Sequence, residues 1–173
     1  MSDREEARRA LRGALAPQLA RAGTPLSVIA EDVLGEEDGE IDWVAASPDG
    51  VAWVVLVEAG SGGAALLERG LVQRAWVGRR LRDWCKLAPG LSLRPDLPTR
   101  ALLIARDFPR STQLAAREAA GEEIALARWN GEPERPGLEP LPALPRPRRE
   151  AEPSPARLVS VFRSGLTDAD LAH

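Results

Sequence analysis

Two acids, Asp42 and Glu58, flank a segment that reads as a hairpin. Glu40 to Ala46 alternates polar and apolar residues, Ser47-Pro48-Asp49-Gly50 has turn chemistry, and Val51 to Val57 is a nearly continuous apolar run. If the chain closes around Asp49-Gly50, the start of one strand lies beside the end of the next, and Asp42 comes near Glu58 without any long-range assumption. Two carboxylates meeting there suit Mg²⁺, which takes hard oxygen ligands and keeps several waters. A metal so held orients a water and neutralises a phosphodiester under attack. The plainer reading of the same residues is two strand-end acids in solvent.

The rest of the composition narrows the chemistry. The chain has 173 residues, 44% hydrophobic and 28% charged, the balance of one folded domain with a real core. Its one cysteine, Cys85, and its one histidine, His173, exclude disulfides, thiolate zinc sites and histidine triads. The start, MSDREEARRA, lacks the apolar stretch of a signal peptide, and no apolar run is long enough to span a bilayer, so a cytoplasmic protein without a membrane partner is expected. The formal net charge of −3 conceals an acidic first third and a basic middle: residues 64–110 carry 10 Arg/Lys against 4 Asp/Glu. A local basic patch beside an acidic pair suits a phosphate backbone held near metal ligands.

Several elements must position the two acids. Ala7, Leu11, Ala14, Leu15 and Leu19 recur at helical spacing over residues 4–21, and Leu26 to Leu34 reads as a strand. After the hairpin, Gly60-Ser61-Gly62-Gly63 reads as a flexible joint, since it lacks the spacing of a phosphate-binding loop. Residues 64–86 resume a helical period, Arg100 to Ala105 reads as a strand, 109–120 as a helix and Ile124 to Trp129 as a strand. The order is α-β-β-β-α-β-α-β, a central sheet between helices. The five tryptophans and Cys85 fall where core or rim packing is expected. Asn130 to Pro155 holds eight prolines and reads as a linker without regular structure, followed by a short helical tail over 156–173.

Gly39-Glu40-Ile41-Asp42-Trp43-Val44-Ala45, a turn, then Val54-Val55-Leu56-Val57-Glu58 resembles the core of the PD-(D/E)XK nuclease superfamily, especially its small Holliday-junction-resolvase-like members. The resemblance covers residues 4–129 and implies a restriction-endonuclease-like α/β fold, a central mixed sheet flanked by helices. It implies Asp42 and Glu58 as Mg²⁺ ligands and catalytic acids, and Gln73 as a polar site residue. It also implies DNA as a partner, with Arg69, Arg74, Arg79 and Arg80 as candidate contacts. The family's lysine belongs two residues after Glu58, where this chain has Gly60. Arg69 or Arg74 supplies a displaced charge but takes no proton, because the arginine pKa is too high for a general base. Two functions follow: a degenerate or weakly active Mg²⁺-dependent nuclease that contacts DNA, and a non-enzymatic scaffold or regulatory subunit of the same fold that binds a protein partner through the Pro-rich tail. A small-molecule-binding domain unrelated to nucleic acid is a third.

Overall fold

The valine-rich run after the Ser47–Gly50 turn forms strand β3 (Ala52–Val57), and all its residues are buried because helices cover both faces. In this computed structural model, which describes residues 3–21, 23, 25–120 and 123–142, five more strands flank it. They are β1 (Ser27–Leu34), β2 (Glu40–Ala46), β4 (Arg100–Ala105), β5 (Ile124–Trp129) and β6 (Leu138–Pro140), adjacent in chain order. Hairpins make β1, β2 and β3 antiparallel, whereas β3 to β4 and β4 to β5 are parallel. Parallel neighbours need crossovers. Helices α3 (Ala64–Arg79) and α4 (Leu81–Leu87) supply the first, and α5 (Arg110–Ala120) the second. The expected mixed sheet flanked by helices is the architecture observed.

Period-2 alternation divides the core into two layers. Trp43, Val55, Val57, Leu102, Ile104 and Trp129 pack against Ala7 and Leu11 of α1 (Asp3–Arg12) and Leu15 and Leu19 of α2 (Leu15–Arg21). Val44, Val54, Leu56 and Leu103 pack on the other face against Leu67 and Val77 of α3, Trp84 of α4 and Ala116 of α5. Trp43, Trp53, Trp84 and Trp129 are buried as expected, and Trp76 is half-buried.

Three boundaries differ from the sequence reading. The helix expected over 4–21 breaks after Arg12, since Pro17 has no N–H to give the Gly13 carbonyl and instead sits in the first turn of α2. The helix expected over 64–86 is interrupted at Arg80, whose φ of −107° and ψ of 13° leave the helical region. Within the stretch expected to lack regular structure, Leu138–Pro140 pairs antiparallel with β5. Proline is tolerated there because β6 is an edge strand and Pro140 is its last residue. The Asn130 side chain builds the intervening loop: its Oδ1 accepts the Glu132 and Gly137 N–H groups at 3.1 and 3.0 Å, and its Nδ2 donates to the Arg135 carbonyl at 2.8 Å. Residues 143–155 of the expected linker and the tail over 156–173 lie outside the described residues. No described helix is long and apolar enough to cross a membrane.

Helix α3 approaches the sheet closely at Gly70, where a Cβ would stand 2.8 Å from Leu103 Cδ2. Leu103 is fully buried, so Leu103→Ala is expected to lower the unfolding free energy by about 2–5 kcal/mol in a denaturant titration.

Candidate functional site

The β2–β3 ladder runs from Ala46↔Ala52 to Trp43↔Val55, while β3 continues beside β4 to Val57↔Ile104. Beyond Trp43 the Asp42 side chain stands where backbone pairing ends, and its Oδ2 accepts the Val57 N–H at 2.7 Å. Glu58 follows directly. Its backbone N–H donates to the Ile104 carbonyl at 2.8 Å, and its Oε1 accepts the Ala59 N–H at 3.1 Å. The hairpin therefore brings Asp42 to the residue before Glu58. The two acids differ in environment, with the Asp42 side chain 0% and the Glu58 side chain 37% exposed.

Helix α1 supplies what the sequence reading missed. Arg4 Nη2 donates to Asp42 Oδ1 at 3.0 Å, its Nη1 to Glu40 at 2.9 Å, and its Nε to the Val57 carbonyl at 3.2 Å. One guanidinium thus ties the start of β2 to the end of β3. One turn on, Arg8 Nε forms an ion pair with Asp42 Oδ1 at 2.7 Å, off hydrogen-bonding geometry, and Arg8 also pairs with Asp32. Burial raises the Asp42 pKa above the ordinary carboxylate value, while Arg4, the Val57 N–H and Arg8 pull it down. The signal was present as Arg4, Arg8 and Arg12, which share a helix face at i, i+4, i+8 spacing.

These residues do not fit Mg²⁺ as arranged. The Asp42 carboxylate faces two guanidinium charges, accepts a backbone N–H, and exposes no side-chain surface to the hydrated ion that Mg²⁺ remains when bound. Among the described residues, no three Asp, Glu, His or Cys side chains group in a way that could hold a metal ion.

The other expected site residues are distributed. Arg69 faces the cleft, with Nη1 4.0 Å from Glu58 Oε2 and a buried Nη2 that has no hydrogen-bond partner. Burial and the charge of Arg4 lower its pKa, while Asp42, Glu58 and Glu40 raise it. Arg74 pairs with Glu123, Arg79 pairs with Glu36, and Arg80 stacks over Trp76 at 4.3 Å. Gln73 is buried, and its amide accepts the Glu36 N–H at 2.9 Å and donates to the Glu36 carbonyl at 3.0 Å. It fills the space above Gly35 and Gly39, where a Cβ would lie 1.9 and 2.3 Å from the amide. Gln73 therefore clamps the Glu36–Asp38 turn that leads into β2.

No protein-family model matches the chain, and no curated protein does. Among solved structures, the fold is similar to the crystal structure of a repair endonuclease from Pyrococcus abyssi, with a TM-score of 0.43 and 12% sequence identity. The similarity covers 67% of this chain and 43% of that one.

Gln73→Ala is expected to cost about 1–3 kcal/mol, because both Glu36 backbone groups lose their partner. Hydrogen exchange should accelerate at the Glu36 amide while β4 stays protected; unchanged exchange at Glu36 would remove the clamp.

Proposed function

We propose that this chain is a non-hydrolysing protein of the PD-(D/E)XK type, in which the nuclease-like fold serves as a scaffold or regulatory subunit. The observation that carries this reading is the cation beside Glu58. At the position of the family's lysine stands Gly60, and the group facing Glu58 is the Arg69 guanidinium at 4.0 Å. An arginine steadies negative charge but neither gives up nor takes a proton in water activation. The chain's one lysine, Lys86, lies on α4 and pairs with Asp83 at 3.6 Å. The expected DNA contacts support the same reading, since Arg74, Arg79 and Arg80 are engaged by Glu123, Glu36 and Trp76. A helix face whose cations are paired offers less charge to release counterions from a phosphate backbone.

A displaced-cation nuclease is the second reading, favoured by the fields of Asp42, Glu58 and Glu40 converging on Arg69. Incubation of the full chain with supercoiled plasmid or a four-way DNA junction, in Mg²⁺ or Mn²⁺, separates the two. The scaffold reading expects no cleavage above a buffer control. It also expects Gly60→Lys to leave that result unchanged, although the position is open, with no atom within 4 Å of an added Cβ, because Asp42 stays occupied by Arg4, Arg8 and the Val57 N–H. Metal-dependent cleavage abolished by Arg69→Ala would establish the displaced-cation nuclease instead.

A further inference from the structure

Among the described residues, both cations that touch the Asp42 carboxylate are carried by one helix. Arg4 and Arg8 both reach Oδ1, at 3.0 and 2.7 Å, and both come from α1. Arg4 also holds Glu40 and the Val57 carbonyl, so its guanidinium spans the mouth of the split between β2 and β3. Arg69 closes the other side, beside Glu58. Three acids, Glu40, Asp42 and Glu58, are thus matched by three guanidinium groups around one cleft. A divalent ion within coordinating distance of Oδ1 would stand close to two like charges, in a place where water screens little.

We propose that Arg4 and Arg8 are the resident cation of this cleft: helix α1 is a tethered plug that keeps a latent oxygen-ligand metal site, Asp42 with Glu58, in a metal-free, charge-paired state. The inference rests on the reading of the cleft as PD-(D/E)XK-like only for the kind of ion displaced. Arg4 joins Asp42 to Glu40, and Arg8 joins it to Asp32, through ion pairs. They bring no exchangeable water and no empty coordination position, so they supply structure without Lewis-acid chemistry. Neutralising them uncovers the Asp42 carboxylate and removes the two charges nearest it, leaving Arg69 beside the already part-exposed Glu58.

The test uses the full chain and the metal ion alone. Thermal unfolding is followed by circular dichroism during titration with MnCl₂ or MgCl₂, for the wild type, Arg8→Gln, Arg4→Gln/Arg8→Gln, and each with Asp42→Asn. The wild-type midpoint should not move with metal. The double variant should show a rise of about 5–10 °C at metal a hundredfold above its dissociation constant, growing with the logarithm of metal concentration, and Asp42→Asn should abolish it. Arg8→Gln retains every Arg4 contact, so it keeps the test decisive if the double variant does not fold; it should bind Mn²⁺ measurably by electron paramagnetic resonance, where the wild type does not. An Asp42-dependent rise of the wild-type midpoint with metal would overturn the proposal, as would folded arginine variants that remain metal-blind. Both outcomes are read without a nuclease assay, so DNA cleavage by the wild type would overturn the scaffold reading and leave this one to be decided by metal binding.

Discussion

A buried carboxylate without partners is costly enough that proteins usually neutralise it or surround it with donors, and Asp42 is the place where this fold meets that constraint. Its oxygens take a guanidinium from Arg4, the charge of Arg8 and the Val57 N–H. Removing the acid alone would cost less than the roughly 3–5 kcal/mol of a broken fully buried pair, because Arg4 keeps Glu40 and Arg8 keeps Asp32 at the exposed rim. The ion pairs are therefore better understood as setting geometry than as adding net stability. They tie α1 to the start of β2 and to the end of β3.

The stripe continues past the cleft. Arg12, one turn beyond Arg8, pairs with Glu31 at 2.7 Å and with Asp32 at 3.1 Å. Four acids of the first third, Glu31, Asp32, Glu40 and Asp42, thus form a docking track for α1. Beside this stripe α1 buries Ala7 and Leu11 among Trp43, Val55 and Val57. Apolar burial provides the attraction, and charge pairing selects the register at which the helix settles. A parallel division of labour holds the turn before β2, where Gln73 occupies the space left by Gly35 and Gly39 while Arg79 pairs with Glu36.

Periodicity made most of the sheet legible. Glu40–Ala46 and Ile124–Trp129 have the bounds read from alternation and apolar runs, because each is a short strand between strong turn signals. Pro17 and β6 were less readable. The first turns on one missing N–H, and the second is a three-residue edge strand whose pairing depends on a loop organised by Asn130. At the site, the approach of Asp42 to the residue before Glu58 followed from local hairpin geometry. Its arginine partners did not, since Arg4 meets Asp42 across 38 residues and local pattern does not choose among acids at that separation. Gln73 had the residue type of a polar site group, and its engagement with Glu36 is visible only once α3 and the turn are placed together.

The sheet's two borders also carry a consequence for association. On one side β6 covers the hydrogen-bonding edge of β5 with a segment only three residues long that ends in proline. On the other, β1 is irregular between Val28 and Ala30, carries Glu31 and Asp32, and passes through a positive φ of 55° at Asp32. Neither border is a straight, uncharged row of unpaired amides. A second molecule adding strands would have to accommodate a bend and like charges on one side, or lose pairing at a proline on the other. Among the described residues the sheet has six strands, and the valine-rich β3 lies at its centre, away from both borders and from the strand-to-strand growth that such sequences favour in unfolded chains.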